Sequence, residues 1–198
     1  IAPTANVAEG TYNNLISITL TPAGDAAQTF YTTTGAEPTA TSSAYITGAI
    51  GIDGADGVTK TLKAVSFDAL QNRGETLTRN YLFDKSAPVI ALYGSSTIAI
   101  EQGRAFTDDG ATADDVIDGP LTASITTSTT LNNLIVGTYT FTYSVSDAAG
   151  NATSTDRIIE VTADVTAPTL TILGENPFTL NQGETYTDAG ATSTDIVD

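Results

Sequence analysis

Eleven consecutive residues near the middle of this 198-residue chain carry five carboxylates: Asp108, Asp109, Asp114, Asp115 and Asp118. Negative charges this close repel one another unless water separates them or a cation is shared among them. A hard cation such as Ca2+ takes roughly six to eight oxygen ligands, which carboxylates and backbone carbonyls supply. The spacing is not that of the helix–loop–helix calcium loop, because Val116 stands where an oxygen ligand is required. A second acidic set marks linkers and turns. Asp84 precedes Ala87-Pro88, Asp164 precedes Ala167-Pro168, and Asp147 opens the turn that ends at Asn151. Asp84, Asp108, Asp109, Asp114, Asp115, Asp118, Asp147 and Asp164 are therefore the candidate Ca2+ ligands, and calcium is the cofactor expected. Asp also favours turns by accepting hydrogen bonds from its own nearby backbone N–H groups, so solvated turn acids are the alternative reading. Asp53-Gly54-Ala55-Asp56-Gly57 is a weaker candidate that reads first as a Gly-rich turn.

Composition narrows the remaining chemistry. The chain has 23 Asp and Glu against 7 Lys and Arg, a net charge of -16, and no His, Cys, Met or Trp. Zinc sites, disulfides, Cys nucleophiles and Ser-His-Asp triads all need residues that are absent. So negative a chain has no electrostatic grip on nucleic acid phosphates. No apolar run reaches the roughly 18 residues of a membrane-spanning helix, so membrane insertion is not expected. Paired carboxylates alone do not make a glycosidase, which also needs a cleft and aromatic platforms for the sugar. Lys63 reads as a strand lysine with its head in solvent, and Asn151-Ala152-Thr153 as a tight turn rather than a glycosylation acceptor. No catalytic residues are assigned.

These acids must be positioned by strands. Thr occurs 37 times, and its β-branched side chain suits a pleated, half-buried surface. In Thr138–Val145, Tyr139, Phe141, Tyr143 and Val145 alternate with Thr or Ser, the period of a strand with one dry and one wet face. Further strands are expected at 15–20, 29–33, 59–67, 77–83, 89–92, 97–100 and 157–162, with turns at Gly24-Asp25, Gly54–Gly57, Gly119-Pro120 and Gly150-Asn151. Nothing reads as a helix, so the fold class expected is all-β, as tandem sandwiches.

An internal repeat sets the boundaries. Residues 84–118 align without a gap to 164–198, with 13 of 35 positions identical. Gly94/Gly174, Gln102/Gln182, Asp108/Asp188, Gly110/Gly190, Asp115/Asp195 and Asp118/Asp198 are among the shared pairs, and Phe106 answers Tyr186. The offset of 80 measures one module, giving 1–83, 84–163 and an incomplete third at 164–198. Alone, that third piece has no strands to cover its apolar face. Either the chain continues, or a neighbouring module of the same kind, in the same or an adjacent chain, completes it by strand addition. The chain opens without an initiator Met or signal peptide, and a processed or excised piece is expected.

Residues 84–163, with Ala87-Pro88, Gln102-Gly103, Thr107-Asp108, Gly110–Ala113, Asp118-Gly119, Gly137-Thr138-Tyr139, Tyr143 and Asp147–Asn151, resemble the bacterial Ig-like domain of insecticidal crystal proteins and many surface proteins. Residues 164–198 are similar to the opening of that same domain. Residues 1–83, with Gly10-Thr11-Tyr12, Phe30–Thr39, Ser43, Tyr45, Leu62–Val65 and Tyr81, resemble the chitobiase/β-hexosaminidase C-terminal domain, an Ig- or fibronectin-type sandwich. Thr34 stands where that family often carries Asp. The resemblances imply non-catalytic accessory modules of secreted or cell-surface bacterial proteins. The function expected is a structural spacer, with an assembling filament or surface-layer subunit as a special case. Two rivals are a polysaccharide-binding or adhesive module attached to a glycoside hydrolase or adhesin, and an Ig-like decoration of a phage particle.

Overall fold

Apolar side chains at every second position build the first sandwich. In the computed structural model, which describes residues 1–197, nine strands succeed one another before residue 84. They are β1 (Thr4–Ala5), β2 (Gly10–Tyr12), β3 (Ile16–Ile18), β4 (Leu20–Thr21), β5 (Gln28–Thr32), β6 (Ser43–Tyr45), β7 (Ile50–Ile52), β8 (Val58–Phe67) and β9 (Arg73–Phe83). One sheet has the order β2-β9-β8-β5-β6, and β3-β7 and β1-β4 pair separately. β8 runs antiparallel to β9 from Val58↔Phe83, with a bulge between Val65 and Phe67, while β2 runs parallel to β9. Ile16 and Ile18 of β3 and Ile50 and Ile52 of β7 share one core with Leu62, Ala64, Leu77, Tyr81 and Phe83 of the large sheet. Burying a side chain of this size contributes about 1.5–3 kcal/mol, so this face holds the two layers together.

The next strands are β10 (Val89–Leu92), β11 (Thr97–Glu101), β12 (Ala111–Asp115), β13 (Gly119–Pro120), β14 (Thr126–Ser128), β15 (Gly137–Ser146) and β16 (Ala152–Thr162), with one short 3-10 turn at Thr122–Ser124. They form sheets β10-β12-β13 and β11-β16-β15-β14. The alternation read from the sequence sets β15: Phe141, Tyr143 and Val145 are buried, and Tyr139 is half-buried. On β16 the buried positions are Arg157, Ile159 and Val161. β11 joins β16 in parallel, from Thr97↔Ile158 to Glu101↔Thr162. The protein is all-β, with its sheets in a sandwich-like arrangement.

One stretch differs from the sequence expectation. Residues 111–115, expected within an acidic loop, form β12, in which Ala113 and Asp115 are both buried. Ala and Thr alternate too weakly in hydropathy to announce a strand. Gly110, at φ +80°, turns the chain into β12, and its repeat partner Gly190 has the same φ of +80° before β18 (Ala191–Thr194). A left-handed residue is required there, and glycine takes that conformation without a Cβ penalty. β18 pairs antiparallel with β17 (Thr169–Ile172), and every residue of both strands is exposed, including Leu170 and Ile172.

Contacts divide the chain into two units. The first joins Ile1–Ala91 to Ala111–Thr126 and Ser144–Ser154; the second holds Leu92–Gly110, Thr127–Tyr143 and the chain from Thr155 onward. Asp198, the repeat counterpart of Asp118, lies outside the described residues.

Candidate metal centre

Within the first unit, three of the eight candidate aspartates come together. One carboxylate oxygen from each of Asp84, Asp115 and Asp147 lies within 4.8 Å of the others. All three residues are buried: Asp84 is 0%, Asp115 5% and Asp147 9% exposed. Each is delivered by a different element. Asp84 follows the last residue of β9; its N–H donates to the Tyr12 carbonyl at 3.0 Å, and its own carbonyl accepts from Asn151 Nδ2 at 3.0 Å. Asp115 ends β12 and caps the turn after it, where Oδ1 accepts from the N–H groups of Ile117 at 2.8 Å and Asp118 at 3.0 Å. Asp147 follows β15 and organises the turn to β16: Oδ1 accepts the Asn151 N–H at 2.8 Å, and Oδ2 accepts Asn151 Nδ2 at 2.7 Å.

The turn bonds leave oxygens over. Asp84 Oδ2 and Asp115 Oδ2 are buried and accept no hydrogen bond among the described residues. Buried polar atoms are nearly always satisfied, so two bare carboxylate oxygens in one cluster need a physical reason. None of the ion pairs among the described residues includes Asp84, Asp115 or Asp147. Burial pushes the Asp84 carboxyl above its ordinary range, and the neighbouring Asp115 and Asp147 charges push it further. The nearest base in sequence, Lys85, is directed elsewhere: its Nζ donates to Asp53 Oδ1 at 2.8 Å. A cluster of three carboxylates without a basic partner can be neutralised by a proton or by a hard cation.

The other candidates have other work. Asp118 is adjacent in space, but its Oδ2 accepts the Ala148 N–H at 2.6 Å and so ties the two turns together. Asp114 and Asp109 are exposed. Asp164, half-buried in the second unit, accepts the Thr166 N–H at 2.9 Å, the same turn that Asp84 forms with Ser86 at 3.3 Å. The five acids of 108–118 thus do not act as one group, because β12 sends alternate side chains to opposite faces. The Asp53–Gly57 turn clamps the linker. Asp56 accepts the Lys85 N–H at 2.6 Å and the Ser86 hydroxyl, while Asp53 binds Lys85 Nζ. These bonds hold both carboxyls below their usual range, Lys85 being the main cause for Asp53 and the Ser86 hydroxyl for Asp56.

Asp108 belongs to a separate site in the second unit, centred on Arg157, which sequence reasoning did not single out. Arg157 is fully buried; Nη1 pairs with Asp108 Oδ1, Nε donates to the Ser95 carbonyl at 3.2 Å, and Nη2 donates to the carbonyls of Tyr93 and, at 3.2 Å, Gly110. The Tyr143 hydroxyl donates to Asp108 Oδ2 at 2.5 Å, and the guanidinium lies 5.7 Å from the Tyr143 ring centre. Burial, reinforced by the bond to Asp108, pushes the Tyr143 phenol up to about 12. The available signal was parity, since Arg157 shares its face of β16 with Ile159 and Val161. Lys63 lies on β8, and its head meets Glu37 in an exposed ion pair.

Residues 90–161 match the family model described as bacterial surface protein, Ig-like domain, and residues 7–78 match that of the chitobiase/beta-hexosaminidase C-terminal domain. The first of these is the bacterial surface Ig-like model, where the sequence resemblance also named insecticidal crystal proteins. No curated protein sequence matches the chain. Among solved structures, the Clostridium thermocellum CbhA fibronectin(III)-like modules are similar at 18% identity and a TM-score of 0.47, over 81% of this chain and 94% of that one. Two structures from Clostridium perfringens ZmpB are also similar. One contains CBM51-2 in complex with GlcNAc and INT domains, at 26% identity, a TM-score of 0.32 and 44% of this chain. The other contains the M60 catalytic domain with CBM51-1 and CBM51-2, at 20% identity, a TM-score of 0.33 and 74% of this chain. This chain spans only 20% and 16% of those two ZmpB chains. No helix among the described residues is long and apolar enough to cross a membrane.

Proposed function

We propose that this chain is a non-catalytic structural segment of an extracellular bacterial protein, a spacer made of Ig-like and fibronectin III-like sandwiches. One observation carries the reading: the convergent acids Asp84, Asp115 and Asp147 are enclosed between strand ends and bonded to the turns they organise. Carboxylates that act on a substrate need access to it, whereas these fix the path of the backbone. The two family matches, to a bacterial surface Ig-like domain and an enzyme-associated C-terminal domain, support an extracellular accessory role. High negative charge suits a surface that must stay soluble and avoid non-specific association. Neighbouring modules of the same kind are the natural partners, and the exposed apolar residues Leu170, Ile172, Phe178, Leu180 and Tyr186 support strand addition to 164–198. A filament or surface-layer assembly is the extended form of this reading.

A polysaccharide-binding role is the second reading. It is favoured by the match of residues 7–78 and by a groove of about 410 Å³ along β5 and β6, lined by Gln28, Thr29, Ala44, Tyr45 and Ile46. Affinity chromatography on chitin, cellulose and peptidoglycan separates the two. A spacer passes through all three columns; retention that is lost in Tyr45→Ala replaces the spacer with the binding module.

A further inference from the structure

We propose that Asp84, Asp115 and Asp147 bind one calcium ion, which ties the chain leaving β9 to the turns after β12 and β15. The proposal deepens the spacer reading and rests on it for its meaning, since the ion would stiffen the link at residue 84.

Three observations carry the assignment. First, the donors converge. Ligands on a single Ca2+ sit about 2.3–2.6 Å from it, so two of them can be at most roughly 5 Å apart. The three carboxylate oxygens lie within 4.8 Å of one another, inside that limit. Second, Asp84 Oδ2 and Asp115 Oδ2 are shut away from solvent, with no donor to satisfy them among the described residues. The remaining oxygens are occupied by N–H donors that orient the carboxylates: Ser86 on Asp84, Ile117 and Asp118 on Asp115, and Asn151 on Asp147. Such outer bonds fix a ligand's direction, and each Asp147 oxygen, accepting one bond from Asn151, keeps a second lone pair for the ion. Third, the donor set is all hard oxygen, in a chain with no His or Cys. That chemistry suits Ca2+ and does not suit zinc or copper. Calcium tolerates an irregular shell in which water completes what the three carboxylates begin, whereas Mg2+ holds its water more tightly and demands stricter octahedral geometry.

Asn151 bonds both Asp147 Oδ2 and the Asp84 carbonyl. That side chain sets two of the three ligand-bearing segments in register before any cation arrives. Asp56 and Lys85 hold the third side of the linker, through the Lys85 N–H and the Lys85–Asp53 pair.

The test is thermal unfolding of the full chain in CaCl2, in MgCl2 and in chelator, repeated with Asp84→Asn, Asp115→Asn and the exposed control Asp109→Asn. At a calcium concentration about 100 times the dissociation constant, the midpoint of the parent chain should rise by roughly 5–10 °C relative to chelator. Asp109→Asn should keep the shift, and Asp84→Asn and Asp115→Asn should lose it while still unfolding cooperatively. Should either variant fail to fold, Asn151→Ala serves in its place and should bind calcium at least several-fold more weakly. Identical curves for the parent chain in CaCl2 and chelator overturn the proposal. So does an equal shift with MgCl2, or a calcium shift that survives both Asp84→Asn and Asp115→Asn. Polysaccharide retention, read on separate columns, would sink the spacer reading without touching these outcomes.

Discussion

Two acidic sites in this molecule, one half-buried against a buried arginine and one fully buried, solve the same problem in opposite ways. At Asp108 the protein supplies its own cation: Arg157 pairs with one carboxylate oxygen, Tyr143 donates to the other, and the rest of the guanidinium is spent on backbone carbonyls. At Asp84, Asp115 and Asp147 the protein supplies N–H donors to some oxygens and, among the described residues, no base, and two oxygens stay bare. The first site is closed, with every strong charge answered inside the chain. The second is organised but incomplete in charge. A buried charge without a partner is expensive, and breaking a buried pair is far more costly than never having made it. Removing an acid should therefore have opposite signs at the two places.

The largest effect is expected at Arg157. Replacing it with Leu strands Asp108 and frees three backbone carbonyls, and should lower the stability measured by urea unfolding by about 3–5 kcal/mol. A change below 1 kcal/mol would mean that the pair is not formed as described. Next comes Tyr143. Its phenol is held at about 12 in the fold against about 10 in the unfolded chain, so the unfolded state loses its proton first as pH rises. The contribution is fully present below about pH 10 and is lost on approach to pH 12, on the order of 2 kcal/mol. Tyr143→Phe should flatten that alkaline fall in the unfolding midpoint.

Asn151→Ala removes bonds to the Asp84 carbonyl and to Asp147 Oδ2, and a loss of about 1–2 kcal/mol is expected by urea titration. Asp84→Asn sharpens the contrast most. In chelator at neutral pH it should stabilise the protein, because it deletes one of three clustered charges, whereas Asp108→Asn should destabilise it. The Asp84 carboxyl is raised by burial first and by Asp115 and Asp147 next. Its ionisation therefore costs stability as pH rises through its folded pKa, and the advantage of Asp84→Asn should close as pH falls. An advantage that is independent of pH would contradict charge repulsion as the cause. The smallest effect belongs to the exposed Lys63–Glu37 pair, where Glu37→Gln should leave the midpoint nearly unchanged in high salt.

Much of the scaffold could be read from residues alone, because strand alternation is a local property. Val89–Leu92 coincides with β10, and the Thr138–Val145 pattern falls inside β15. β12 escaped notice because Ala111-Thr112-Ala113 offers little apolar contrast and Asp115 takes an inward position usually held by a hydrophobe. The three converging aspartates were among the eight candidates, yet nothing local distinguished Asp115 from Asp114 beside it. Their separation follows from parity on β12, and their meeting depends on β9, β12 and β15 ending at one place. Arg157 was overlooked for a related reason: its partner Asp108 is 49 residues away in sequence, so the pairing is a product of the sheet.

The most direct measurement is a crystal of the full chain grown with calcium, with the anomalous signal collected at long wavelength. A single peak should appear about 2.3–2.6 Å from one oxygen each of Asp84, Asp115 and Asp147. A site with no peak, or a proton shared between Asp84 and Asp115 in its place, would contradict the assignment.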